Sequence, residues 1–308
     1  MQDVCVIGVG RIGLCVAGLL AQAGHRVLGV DKSAERVERI RSGALESAEP
    51  GIDRIVGEAT SLAVTTDLAD SHRFAPGIVI VTVDTPTVFP AGYDHQPVDD
   101  VIAALTDLPR PAQRVELVLM CTTLPEYCDS RATAVEQHGY ALSYNPVFVA
   151  QGSIVRDLQQ PSQVLIGQAD RQAGDTIAAL HESLGVVESP VYRMSRLAAE
   201  IAKLATNCLI TSKIAFANAL GDLALEVGED PRVILDAVGA DARIGTGSFR
   251  YGHGFGGPCF PRDNRALGHY ARLRGLPLLQ AEATDEMNRR HLDVEVQRYL
   301  RDYPVEEC

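Results

Sequence analysis

The chain has no tryptophan, and only 5% of its 308 residues are aromatic. Its core must therefore be aliphatic, which suits an α/β protein with a Val/Ile/Leu sheet. Basic residues are scarce: 28 Lys and Arg face 40 Asp and Glu, for a net charge of −12, with no basic run. This argues against a nucleic-acid binder; acidity otherwise favours solubility. The seven cysteines (Cys5, Cys15, Cys121, Cys128, Cys208, Cys259 and Cys308) include no C-x-x-C pair and are odd in number. That speaks against a zinc site and a disulfide framework and fits a reduced cytoplasm. No secretory leader pattern precedes VCVIGVG, and no apolar run approaches bilayer length. The expectation is a cytoplasmic protein without a metal, nucleic-acid or membrane partner. Its length implies two domains.

Short β-rich runs alternate with helical patterns over the first two-thirds. Candidate strands are 4–9, 26–31, 77–83, 115–121 and 140–145, with VLIG at 164–167 as a sixth. They are apolar nearly throughout, as strands covered on both faces should be. Helix-period segments at 12–23, 33–42, 98–107 and 125–137 separate them, and another helix is expected from about residue 170. This order implies a doubly wound parallel sheet over 1–194. From Ser195, a candidate N-cap, more than thirty residues run without proline. Pro231 opens a shorter helix, and the glycine-rich stretch 239–263 precedes two more. Residues 195–308 thus read as an all-α domain built on one long helix.

Gly8-Val9-Gly10-Arg11-Ile12-Gly13 follows a strand and opens a helix, and the next strand ends in Asp31. That context turns a weak G-x-G-x-x-G match into a dinucleotide fingerprint. Gly8 makes the turn, Gly10 admits a pyrophosphate to the backbone, and Gly13 lets helix and strand pack closely. The helix N-terminus attracts the phosphates. Asp31 can accept from both ribose hydroxyls, which favours NAD over NADP.

Lys203 and Asn207 share a face of the long helix at i, i+4 spacing, flanked by apolar residues. A desolvated lysine there is suited to proton transfer and the amide to an oxyanion; the plainer alternative is a snorkelling lysine and a surface amide. Lys213 has no such partner and reads as an ordinary surface lysine. In GFGGPCFPRD, glycines strip side chains from the approach to Cys259. A helix starting near Pro261 would put Asp263 in its first turn and Cys259 just ahead of a positive helix end. A thiolate beside a nicotinamide points to aldehyde oxidation through a thioester; the alternative is a small buried hydrophobe.

Together VCVIGVGRIGL, VDTP (83–86), CTTLP (121–125), NPVFVAQGSIVRD (145–157), AEIAKLATN (199–207), DARIG (241–245) and GFGGPCFPRD (254–263) resemble the UDP-glucose/GDP-mannose dehydrogenase family, along nearly the whole chain. The resemblance implies two NAD-dependent oxidations of a primary alcohol, with Cys259 as nucleophile. Lys203, Asn207, Asp263 and Thr123 would serve the water and oxyanion chemistry. It further implies Gly8, Gly10, Arg11, Ile12, Gly13, Asp31, Val83, Thr85, Thr122 and Arg262 as cofactor residues. Phe148, Arg243, Phe255, Gly256 and Gly257 would be substrate residues. Arg243 would reach the neighbouring subunit of a homodimer formed around the long helix.

Three departures stand out. Val147 and Gln151 replace the two glutamates that the family places in N-P-E-F-L-x-E-G, the first of them linked to thioester hydrolysis. The family's third, nucleotide-binding domain has no counterpart in these 308 residues, and Ser248 stands where an aromatic residue is common. The leading expectation is a short variant that oxidises a sugar or nucleotide-sugar alcohol by way of a Cys259 thiohemiacetal and thioester. Alternatives are a two-electron β-hydroxyacid-type dehydrogenase and a non-catalytic NAD-binding dimer.

Overall fold

A computed structural model describes residues 1–45, 47–88 and 92–303; Cys308 lies outside them. The chain divides into two units. The first comprises Met1–Pro86 and Asp94–Glu200, the second Thr87–Tyr93 and Ile201–Cys308.

The first unit is an eight-stranded sheet. Its strands are β1 (Asp3–Ile7), β2 (Arg26–Val30), β3 (Leu62–Thr65), β4 (Ile78–Val81), β5 (Val115–Leu119), β6 (Tyr140–Tyr144), β7 (Val164–Gly167) and β8 (Val191–Met194). Their order is β3-β2-β1-β4-β5-β6-β7-β8. β1 to β6 run parallel. Ile7 pairs with both Val30 and Val81, Val81 with Leu119, and Leu119 with Tyr144. Five strands therefore end in register, and the loops that leave them share one edge of the sheet. The order reverses between β1 and β4, the switch point at which such sheets bind ligands.

Helices cover both faces. Val4 and Val6 of β1 face a cluster with Val16 and Leu20 of α1 (Arg11–Gln22). Cys5 and Ile7 face another with Val98 and Leu105 of α5 (Gln96–Asp107). Burial on both sides is why these strands show no polar alternation. The expectation of a wholly parallel sheet needs one correction: β7 joins β6 antiparallel, at Tyr144 and Gly167, and β8 then runs parallel to β7. β3 and β8, absent from the sequence-based strands, have four residues each and partly exposed faces. They lack the continuous apolar run that marks the central strands. The helices α2 (Ala34–Ser42), α3 (Ile52–Glu58), α4 (Ala69–Phe74), α6 (Tyr127–Gln137), α7 (Ile154–Gln159) and α8 (Arg171–Ser183) complete the first unit. Of these, α3, α4 and α7 span only six or seven residues, too few to show a helical period.

The second unit is helical: α9 (Arg196–Glu226), α10 (Pro231–Gly239), α11 (Phe260–Leu273) and α12 (Leu279–Asp302). Ser195 accepts from the Ala198 N–H at the start of α9, and Asp230 caps α10 ahead of Pro231 at N1. By length and composition alone, α9 would pass for a membrane-spanning helix. In this fold its polar side chains are engaged by protein. Thr211 donates to Asn264 Oδ1 at 3.0 Å, Ser212 hydrogen-bonds Thr284 at 2.9 Å, and Asn218 holds the backbone of Gly252 and His253. At Gly221 the Tyr251 ring lies where a Cβ would be, 2.0 Å away, so only glycine admits it.

Candidate active site

In the first unit the fingerprint forms a phosphate cradle. Gly8 has φ +93° and its N–H reaches Val30 O at 2.7 Å, which turns the chain sharply after β1. A Cβ on Gly13 would stand 2.0 Å from Gly8 O and 2.4 Å from Thr82 Oγ1. A Cβ on Gly10 would meet nothing within 4 Å, and Gly10 is the N-cap of α1 with no side chain capping it. The first turn of α1, with Arg11, Ile12 and Gly13, thus presents backbone N–H groups to open space, which fits a pyrophosphate. Thr82, which sequence reasoning missed, donates to Gly8 O at 2.7 Å and ties the turn to the end of β4. Val83 packs on Gly8, and Thr85 donates to Thr122 O at 2.9 Å.

Asp31 is buried just past β2. One oxygen accepts the Ser33 N–H at 2.9 Å and the other Arg36 at 2.8 Å. A carboxylate at this point suits a ribose diol and repels a 2′-phosphate. The residues present therefore fit NAD.

Thr123 is fully buried and donates to Glu200 Oε1 at 2.9 Å. Glu200 also accepts the N–H groups of Glu126 at 2.8 Å and Cys128 at 2.9 Å, capping α6 from a distance in sequence. Burial raises its pKa, and these hydrogen bonds oppose the rise. Glu200 sits inside AEIAKLATN, and an acid on the apolar face of a helix is the signal that could have marked it. With its proton committed to Glu200, the Thr123 hydroxyl is left as an acceptor.

Val147 is partly buried against the core, and Gln151 is exposed. Acids from elsewhere hold their loop. Glu49 accepts from Gly152 N and Val155 N, and Asp157 from Ala150 N and Ser153 Oγ. Phe148 lies in the same loop and is partly buried.

In the second unit Cys259 is the N-cap of α11 and is exposed. This departs from the buried-hydrophobe alternative. The approach to it is pinned by three side chains. Asn218 Oδ1 accepts from Gly252 N at 3.0 Å, and His291 Nε2 lies 2.8 Å from Gly252 O. Asn288 holds both the N–H (2.8 Å) and the carbonyl (2.9 Å) of Phe255. Gly254 faces Asn288, whose Oδ1 would be 2.7 Å from a Cβ. Beyond Phe255, a Cβ on Gly256 or Gly257 would meet nothing, and Gly257 has φ +76°. The bare turn thus leaves space around the thiol while its base is held.

Asp263 lies in the first turn of α11, almost fully buried, with its N–H on Cys259 O at 2.8 Å. Its Oδ2 accepts from Asn207 Nδ2 at 2.7 Å and its Oδ1 from the Tyr93 hydroxyl at 2.6 Å. Lys203 and Asn207 are both buried, so the snorkelling alternative fails. Burial pushes the Lys203 pKa down to about 8; the charges of Asp263 and Cys259 oppose this and Arg262 adds to it. Arg262 lies 3.9 Å from the Cys259 sulfur and stacks on Tyr93 at 4.3 Å. Tyr93 belongs to no pattern in the sequence.

Arg243 is 89% exposed, paired with Asp241. Lys213 is half-buried and donates to Ile244 O at 3.0 Å and Gly245 O at 3.3 Å, holding the loop that carries Arg243. Ser248 adopts φ +56°, a conformation rare for residues other than glycine.

Residues 2–185 match the family model described as UDP-glucose/GDP-mannose dehydrogenase family, NAD binding domain, and residues 197–290 the central domain of that family. The UDP-glucose 6-dehydrogenase of Pseudomonas aeruginosa is 32% identical over 94% of this chain and 66% of its own length. The GDP-mannose 6-dehydrogenase of Pseudomonas syringae pv. syringae is 30% identical over 87% and 64%. The chain thus spans just under two thirds of these relatives. Among solved structures, a UDP-glucose dehydrogenase from the archaeon Pyrobaculum islandicum superposes with a TM-score of 0.85 at 30% identity, covering 94% of this chain and 68% of its own.

Proposed function

We propose, for a chain that belongs to the UDP-glucose/GDP-mannose dehydrogenase family and carries its NAD-binding and central domains, the oxidation of a primary alcohol of a sugar or nucleotide sugar. The observation that carries this reading is the exposed Cys259 thiol at the head of α11, with buried Lys203, Asn207 and Asp263 in the same unit. NAD, held by the Gly8–Gly13 turn and Asp31, supplies the hydride acceptor. Lys203 Nζ takes up the proton lost from the alcohol. The Cys259 sulfur adds to the aldehyde carbon and becomes a thioester in the second oxidation. Asn207 Nδ2 and Lys203 stabilise the negative oxygen, and Asp263 orients both. Thr123, as an acceptor, orients water.

Val147 has no group that can take a proton from that water, and loss of a general base typically costs about a hundred-fold or more. Thioester hydrolysis is therefore slow, or the acyl group passes to another nucleophile. A homodimer is supported by the exposed Leu209, Phe216 and Leu223, seven residues apart on α9, which form an apolar stripe suited to a second copy. Arg243 would reach the partner's substrate. The free state of Cys5, Cys15, Cys121, Cys128, Cys208 and Cys259 supports a cytoplasmic home.

Intact-protein mass spectrometry tests the assignment, with NAD and UDP-glucose, GDP-mannose or simple sugar alcohols. NADH formation with a covalent adduct that vanishes in Cys259→Ala is the expected result. Full activity of Cys259→Ser on a hydroxyacid would move the chain to two-electron β-hydroxyacid chemistry. Free carboxylate at ordinary turnover would refute slow hydrolysis.

A further inference from the structure

Tyr93 ends the stretch Thr87–Tyr93, which lies between β4 and α5 in sequence yet groups with the helical unit. Thr87 and Tyr93 form an antiparallel bridge, and Val88 N–H donates to Gly92 O at 3.1 Å, so backbone pairing fixes the position of the tyrosine. Its side chain is buried. The hydroxyl donates to Asp263 Oδ1 at 2.6 Å, while Asn207 occupies Oδ2. The face of the same ring carries the Arg262 guanidinium 4.3 Å from its centroid. Arg262 in turn reaches Asp263 Oδ1 at 3.4 Å and the Cys259 sulfur at 3.9 Å. Its side chain is only 11% exposed.

We propose that Tyr93 is a positioning residue of this site: its hydroxyl is anchored on Asp263, and its ring holds Arg262 beside the Cys259 sulfur. A guanidinium there stabilises the negative charge carried by a sulfur that attacks or is displaced. Arginine has many rotamers, and the sulfur contact alone is too long to select one. The ring face and Asp263 together select it. A tyrosine serving only as packing would be replaced by phenylalanine without effect on the thiol.

The proposal rests on the reading of Cys259 as nucleophile, and its test is independent of turnover. The rate of Cys259 alkylation by iodoacetamide at pH 7 is followed by intact mass, with Cys259→Ala as background. The variants are Tyr93→Phe, Tyr93→Leu, Arg262→Gln and Tyr93→Leu with Arg262→Gln. Tyr93→Leu and Arg262→Gln are expected to slow alkylation by about ten-fold each, and the double variant no further, because both remove one interaction. Tyr93→Phe keeps the ring but loses the anchor, and about three-fold slowing is expected. Wild-type rates in Tyr93→Leu at unchanged Tm would overturn the proposal, as would multiplicative slowing in the double variant. If Tyr93→Leu does not fold, a wild-type rate in Tyr93→Phe overturns it. Failure to oxidise any alcohol would refute the proposed function and leave these rates standing.

Discussion

Asn207 and Asp263, 56 positions apart, are joined by a 2.7 Å hydrogen bond between Nδ2 and Oδ2 and are both buried. The helix α9 supplies the donor and the first turn of α11 the acceptor. Truncation of either member leaves a buried polar group without its partner, which costs about 1–3 kcal/mol. Asn207→Ala is expected to lower Tm and to reduce kcat by about a hundred-fold, since it also removes an oxyanion donor. Asp263→Asn keeps the shape but turns one oxygen into a donor, facing either the Asn207 amide or the Tyr93 hydroxyl. It should lose kcat more than KM. Thermal denaturation beside steady-state kinetics checks both variants.

Two glycines of the cradle differ in what surrounds them. Gly13→Ala forces a methyl to within 2.0 Å of Gly8 O, so the α1 N-terminus must shift, with loss of stability and of NAD binding together. Gly10→Ala meets no protein atom. It should leave the stability within about 1 kcal/mol of the parent while weakening NAD binding by ten-fold or more, because the methyl occupies the pyrophosphate path. Calorimetric titration of NAD with parallel melting curves separates the two effects.

Arg36 is half exposed and paired with Asp31 at 2.8 Å. Asp31→Ser frees the guanidinium and removes the anion that repels a 2′-phosphate. The variant is expected to bind NAD about ten-fold or more weakly and to gain affinity for NADP. Loss of both affinities, measured by titration, would contradict this.

Lys203, with its pKa down at about 8, holds fewer protons when folded than when unfolded between about pH 8 and its ordinary value of 10.5. The destabilisation from its buried charge is full below pH 8 and is relieved as pH rises through that window. Neutral Lys203 is also the form that accepts a proton, so kcat/KM should rise with pH through about 8. In Lys203→Arg that limb should vanish with most of the activity, because arginine does not lose its proton. A pH–rate series and denaturant melts at pH 7 and 9 test the two signs.

Much of this was legible from local chemistry. The Gly8–Gly13 turn, the strand that runs up to Asp31, the cap at Ser195, the helix opened by Pro231 and the helix start near Pro261 depend on neighbours a few residues away. So does the pairing of Lys203 and Asn207 on one helical face. Short-range sterics and helical periodicity are written in consecutive residues, which is why the six continuously apolar strands and α9 to α12 could be read directly. The placement of Cys259 behind a bare turn at a helix N-terminus belongs to this class, because both are local features.

Tertiary structure alone decided the rest. β7 turns antiparallel because its pairing with β6 is set by the path of the chain, and β3 and β8 exist because a neighbouring strand offers hydrogen bonds that their own weak patterns do not demand. Tyr93 meets Asp263 across 170 positions, and Thr123 meets Glu200 across 77. No spacing rule links such pairs. Each forms because burial leaves a polar group that must find a partner, and only the folded chain determines which partner is within reach.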